Sequence, residues 1–144
     1  MSVGVGGLWE LGWSAPISEA DLWRYPARDF AVDRWCMSPV SGIFNKHVVE
    51  YEHVEDLLEA NRDLTIVFVD EHAEIELGDF EHPDDAFYMF GKANSTPYPH
   101  FARDGDLAVR FDTVSGTQGL VWPHQALAIV LYDREVKGRG NNGN

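Results

Sequence analysis

Three short runs in which apolar residues follow one another with scarcely a polar break mark the second half of the chain: Leu64–Val69 (LTIVFV), Asp85–Phe90 (DAFYMF) and Leu107–Phe111 (LAVRF). A strand covered on both faces reads this way, whereas a half-exposed strand alternates, so each run predicts an interior strand of a parallel sheet. Between His47 and Ala60 the apolar positions Val48, Tyr51, Val54, Leu57 and Leu58 fall at helical spacing, which predicts a helix over the later part of that segment. Pro123–Tyr132 (PHQALAIVLY) reads as a strongly apolar closing helix, buried against a sheet or a partner subunit.

The first third is patterned differently. Val3–Trp13 mixes Gly with Val, Leu and Trp and predicts a first strand whose glycines permit close packing. Ser18, followed by Glu19 and Asp21, has the form of an N-cap with acids in the first helical turn. That helix should carry Leu22, Trp23 and Arg24 and be kinked or ended by Pro26. Val32–Met37 alternates as a short strand. Strands alternating with helices indicate an α/β fold, a mostly parallel sheet flanked by helices. One domain over residues 1–136 is expected, with the Gly- and Asn-rich residues 137–144 as a flexible tail.

Composition narrows the setting. Of 144 residues 44% are hydrophobic and 12% aromatic, the make-up of a folded protein rather than a disordered one. No apolar run approaches the roughly 20 residues that span a bilayer, and no basic region precedes an apolar stretch near Met1. The single cysteine, Cys36, lies in a predicted strand and should be buried and inert. A reducing, cytoplasmic location is expected. The charge has the larger consequence. With 11 Lys and Arg against 24 Asp and Glu, the formal net charge is −13. A protein that grips phosphates normally presents a basic face, so this balance disfavours RNA unless the few cations are clustered.

Ordered pieces of the sequence resemble the SpoU/TrmH branch of the SPOUT methyltransferases. Ala86–Gly91 (AFYMFG) resembles that family's strand ending in Phe-Gly; Leu107–Thr113 (LAVRFDT) resembles the strand and turn after it. Ala126–Asp133 (ALAIVLYD) is similar to the closing helix that ends in Tyr-Glu, and Phe30–Asp33 (FAVD) to a Phe-Gly-Val-Asp step near the second strand. The match is strongest over the C-terminal half. The resemblance implies a C-terminal trefoil knot, a homodimer, S-adenosylmethionine as cofactor, and methylation of tRNA or rRNA, with the ribose 2′-oxygen as acceptor. It places the cofactor against Val69, Asp70, Phe90, Gly91, Phe111, Gly119, Leu120 and Trp122.

Three departures bear on catalysis. The family's Asn-x-Gly and following Arg correspond to a stretch without Asn-x-Gly, in which Arg24 is the candidate catalytic group and Arg28 a substitute. Arg24 reads equally as a surface cation beside Glu19 and Asp21. The family's Gly-x-Glu is replaced by Gly91-Lys92-Ala93, and its Ser-Leu-Asn by Leu120-Val121-Trp122, which removes an amide and adds a large ring. His124, two residues on, is a second catalytic candidate as a general base. No metal site is expected: His82 with Asp84 and Asp85, and His47 with His53, lack metal-ligand spacing. Two alternatives therefore stand beside the RNA methyltransferase: a non-catalytic knotted dimer that binds a protein partner, and a methyltransferase with a non-RNA acceptor.

Overall fold

The computed structural model describes residues 2–9, 18–41, 47–91, 97–117 and 121–141. Seven strands form one sheet, all pairs parallel: β1 (Val3–Leu8), β2 (Arg34–Ser38), β3 (Val48–Glu50), β4 (Thr65–Val69), β5 (Ile75–Glu76), β6 (Ala86–Phe90) and β7 (Leu107–Arg110). Their spatial order is β3-β2-β1-β6-β4-β7-β5. A small antiparallel pair, β8 (Asp112–Thr113) and β9 (Gly116–Thr117), follows β7. The helices are α1 (Glu19–Asp29), α2 (Val54–Ala60) and α3 (Pro123–Asn141).

The three apolar runs become β4, β6 and β7; β4 and β6 are buried on both faces, for the reason their pattern gave, and β7 is half-buried around Val109. Residues alternate across the sheet. Val5, Val67, Tyr88, Phe90 and Val109 pack with Trp23 of α1 and Leu127, Val130 and Leu131 of α3. Phe68, Phe87 and Met89 face the other way onto Leu57 and Leu58 of α2. The protein is thus a three-layer α/β structure with α1 and α3 on one face and α2 on the other.

The glycines of β1 make that packing possible. A Cβ on Gly7 would lie 2.5 Å from the Trp23 ring, and one on Gly6 would lie 2.7 Å from Phe87. Both rings rest directly on the backbone of β1, one from each side.

The later part of the His47–Ala60 segment is helical, as its spacing predicts, at Val54–Ala60, while Val48–Glu50 before it pairs with β2 as an edge strand. Other expectations are corrected. The first strand stops at Leu8 in the described residues; Leu11–Trp13 lie outside them. Pro26 does not end α1, which runs on to Asp29. Proline removes one N–H near the helix end, while its own carbonyl still accepts from Phe30 N at 3.0 Å. The residues from Lys137 to Asn141 continue α3 rather than starting a tail, and Lys137 Nζ donates to the carbonyls of Leu77 and Phe80 at 2.5 and 2.8 Å. Residues 142–144 lie outside the described set.

Candidate functional site

From β1 the chain runs by way of α1 to β2 and β3 on one side, and β6, β4, β7 and β5 fill the other. The strand order therefore reverses between β1 and β6. In open parallel sheets, ligands bind beyond the strand C-termini at such a point. The register Val69↔Phe90 and Val69↔Val109 brings the ends of β4, β6 and β7 to one level at that edge.

The ends of β4 and β7 hand over to loops held by specific bonds. After β4, Asp70 is almost fully buried, and its Oδ1 accepts from the backbone N of His72 at 2.8 Å. The same oxygen is 2.9 Å from His72 Nδ1, and Asp70 N donates to Val109 O at 3.0 Å. After β7, Arg110 Nη1 donates to the carbonyls of Ala73 and Glu74 at 3.0 and 2.7 Å, and its Nε to Asp112 at 3.1 Å. One guanidinium thus ties the loop after β4 to the β8–β9 hairpin. Val69, Phe90 and Phe111 are buried and form an apolar floor at this edge, with Gly91 half-buried beside Phe90.

The first turn of α3 closes the edge from the α1 side. Gln125 N and Ala126 N donate to Trp122 O, and Trp122 N donates back to Gln125 Oε1 at 2.9 Å. The Gln125 side chain thus caps the Trp122 N–H, one half of a capping box, and fixes the backbone of Trp122, while Pro123 at the first helical position adds no unsatisfied donor. A ladder of rings follows. Trp122 stacks on His124 (centroids 5.8 Å, interplanar angle 20°), and His124 meets Trp23 edge-on at 6.2 Å. Trp23 in turn meets Phe90 edge-on at 5.9 Å and donates from Nε1 to buried Glu19 Oε2 at 3.1 Å. Exposure rises along the ladder from 1% at Trp23 and Phe90, through 8% at His124, to 41% at Trp122.

The residues expected at the site thus divide. Val69, Asp70, Phe90, Gly91, Phe111, Trp122 and His124 stand at the C-terminal edge or the α3 turn beside it. Gly119 and Leu120, with Lys92 and Asn94, lie outside the described residues. Arg24 is on the exposed side of α1, where its Nη2 pairs with Asp21 at 2.8 Å and its guanidinium lies 4.8 Å from the centre of the Tyr25 ring. Arg24, with Ser18 behind it, holds the Asp21 carboxyl below the ordinary carboxylate range, and Asp21 raises the guanidinium in return. Glu19 and Trp23 were not anticipated at the site. Their i, i+4 spacing put them on one face of α1, but nothing in the sequence said which face meets α3.

A second polar cluster lies at the opposite edge of the sheet, bordering a cavity of about 900 Å³. His82, whose side chain is buried, has Nε2 2.7 Å from Asp133 Oδ2 and Nδ1 2.7 Å from Tyr88 Oη. Lys137 Nζ also binds Asp133, at 2.8 Å. Arg134 donates to Tyr88 Oη at 3.1 Å and to the carbonyls of Pro83 and Asp84 at 2.6 and 2.7 Å. Burial pushes His82 down, against the opposing pull of Asp133, and pushes Tyr88 up to about 12. The Arg134 and Lys137 cations bind backbone carbonyls, which makes the cluster a fastening of α3 to the 77–84 segment. Among the described residues no group of three His, Cys, Asp or Glu could hold a metal ion, and no helix is long and apolar enough to cross a membrane.

No sequence-family model matches the chain, and no curated protein matches it. Solved structures do. It is similar to the SpoU methyltransferase AviRb from Streptomyces viridochromogenes in complex with AdoMet, with a TM-score of 0.69 and 18% identity over 96% of this chain and 58% of that one. It is similar to the TrmH/SpoU tRNA modifying enzyme of A. aeolicus (TM-score 0.69, 16% identity, 95% of this chain and 77% of that one). A third likeness is to the protein solved for insight into the 2-OH methylation of C/U34 on tRNA (TM-score 0.66, 12% identity, 96% of this chain and 99% of that one). The chain has the fold of the SpoU/TrmH methyltransferases, and spans 58% of the AviRb chain.

Proposed function

We infer that the protein binds S-adenosylmethionine at the C-terminal edge of the sheet and transfers its methyl group to RNA, with a ribose 2′-oxygen as the acceptor. The carrying observation is that the ends of β4, β6 and β7 lie at one level, beside the first turn of α3, near the point where the strand order reverses. It is supported by the likeness of the fold to AviRb, which was solved with AdoMet. The residues present suit that cofactor. Buried Val69, Phe90 and Phe111 give the edge an apolar base, Gly91 brings no side chain to it, and the loops after β4 and β7 carry backbone donors and acceptors. Gly119 and Leu120 complete this reading of the pocket.

The bound cofactor supplies an already reactive methyl sulfonium. The protein's part is to orient the acceptor oxygen and receive its proton. Of the two candidates His124 suits the second task better, since a neutral imidazole has a ring nitrogen that can accept a proton, whereas Asp21 strengthens the hold of Arg24 on its protons. Arg24, on the exposed side of α1, serves to contact the incoming RNA. In this reading the C-terminal strands and α3 form the trefoil knot of the SPOUT fold, and the protein works as a cytoplasmic homodimer. Ile129, Tyr132 and Val136 support the dimer, being exposed apolar residues at helical spacing on α3, with Tyr25 exposed on neighbouring α1.

Calorimetric titration with S-adenosylmethionine and S-adenosylhomocysteine tests this reading. Saturable binding that a Gly91→Trp substitution abolishes is the expected result. Absence of binding in the folded protein overturns it and leaves the reading that the charge of −13 favours, a non-catalytic dimer that binds a protein partner.

A further inference from the structure

The net charge of −13 raises a physical question that cofactor binding does not answer: what attracts a polyanion to this surface? Neutralised phosphates ordinarily supply most of the affinity, and here several cations are already committed within the protein. Arg110, Arg134 and Lys137 are bound to backbone carbonyls, Arg62 donates to Asp106, and Arg34 pairs with Asp63. The alternative source of affinity for single-stranded nucleic acid is stacking of bases on aromatic rings, which needs no cation.

Trp122 has the geometry for that. The bond from its N–H to Gln125 fixes its backbone, His124 supports its ring at an interplanar angle of 20°, and Trp23, itself resting on Phe90, buttresses His124 from the core. A buried indole usually fills a cavity, but this one keeps 41% of its surface exposed, at the edge where the strand ends meet. A large ring held in one orientation and left exposed loses little entropy when a flat partner settles on it. We propose that Trp122 is a stacking platform for a base of the acceptor RNA, so that RNA is held at this edge by ring contact more than by phosphate neutralisation. The proposal rests on the reading of the edge as a methyl-transfer site and names how that site takes its acceptor.

The test titrates the full chain, saturated with S-adenosylhomocysteine, with a short single-stranded oligoribonucleotide and with the same oligomer made abasic. Trp122→Phe keeps a smaller stacking ring, and Trp122→Leu keeps apolar bulk without one. Expected is a loss of about tenfold or more in RNA affinity for Trp122→Leu, with a much smaller loss for Trp122→Phe. The abasic oligomer should bind as weakly to the wild type as the normal oligomer does to Trp122→Leu. Affinity should change little between 50 and 200 mM salt, where a protein making six to ten phosphate contacts loses roughly 10³- to 10⁵-fold. Equal affinity of wild type and Trp122→Leu, or a steep salt dependence, overturns the platform. So does a loss of S-adenosylhomocysteine binding in Trp122→Leu, which would assign the ring to the cofactor. A wild type that binds S-adenosylhomocysteine but no oligomer removes the platform and leaves the cofactor site standing. A wild type that binds neither removes both.

Discussion

At its C-terminal edge the sheet ends in aromatic and apolar side chains, Phe90, Phe111, Val69 and the rings of Trp23 and Trp122, with loops held by backbone bonds. At its N-terminal edge the same sheet ends in a charged lattice, in which Tyr88 of β6 is linked through His82 to Asp133, and Arg134 and Lys137 of α3 grip five protein oxygens between residues 77 and 88. Helix α3 spans both edges, its first turn at one and its last three turns at the other. The difference assigns two tasks to one helix. The charged edge fixes where α3 lies, and the aromatic edge can then stay only partly covered, open to a ligand, without the helix losing its place.

The largest way to break that division is to loosen the fastened end. Arg134→Ala removes three donated hydrogen bonds from a charged group, two to carbonyls and one to a buried phenol oxygen. A loss of about 3 kcal/mol in unfolding free energy is expected, since charge-assisted bonds contribute more than neutral ones. Chemical denaturation measures it. Cofactor binding by the remaining folded protein should be unchanged, because the bonds to Pro83, Asp84 and Tyr88 lie on the charged edge. A variant that kept its stability but lost the ligand would show that the two edges are not separate.

A subtler break uses pH. In the cluster a neutral His82 satisfies every partner at once. Its Nε2–H donates to Asp133, its Nδ1 accepts from the Tyr88 hydroxyl, and that oxygen accepts from Arg134. Protonating His82 would turn the Tyr88 hydroxyl away and set a cation among Arg134 and Lys137, in keeping with the downward shift that burial gives it. The unfolded imidazole takes its proton near the reference value of 6.5, and the folded one only at lower pH. This contribution is therefore complete above about 6.5 and is lost as pH falls below it, towards the folded value. Unfolding curves at successive pH values should show His82→Gln less stable at pH 7 but flatter than the wild type between 7 and 5. Parallel curves would mean that His82 takes up its proton equally in the folded and unfolded states, so that burial does not shift it.

How much of this was written in the sequence differs between the edges as well. The central strands β4 and β6 were legible because burial on both faces leaves an unbroken apolar run, and β7 because Leu107–Val109 continues that pattern beside them. With the resemblance they located Val69, Asp70, Phe90, Gly91 and Phe111 at one edge. The edge strands β3 and β5 were not legible: two or three residues carry no period, and Val48, Tyr51 and Val54 mimic a helical one. The charged edge was invisible too. His82 and Asp133 are 51 residues apart and meet only once α3 has docked. The length of α3 was misread for the same cause, since Gly138 and Gly140 argue for a tail, and the Lys137 contacts that hold the helix against the 77–80 segment are tertiary.

The smallest effect sharpens the comparison in the opposite direction, by strengthening the fastened side. Helix α1 ends in two reciprocal bonds, Ala31 N to Arg28 O at 3.1 Å and Val32 N to Ala27 O at 2.8 Å, the Schellman arrangement, with Ala31 in the left-handed position at φ 56°. That position ordinarily takes glycine, and a Cβ there costs about 1–2 kcal/mol. The resembling Phe-Gly-Val-Asp step has its glycine at this point. Ala31→Gly relieves the strain but gives the unfolded chain more freedom, which offsets about 0.4–1 kcal/mol of the gain. A net stabilisation of about 0.5–1 kcal/mol follows, seen as a melting temperature higher by about 2–4 °C at most. Ala31 borders the cavity at the charged edge, well away from the rings of Trp122 and His124. The variant should therefore melt later while binding S-adenosylmethionine unchanged, whereas any change in binding would mean that α1, which carries Trp23, passes strain from one edge to the other.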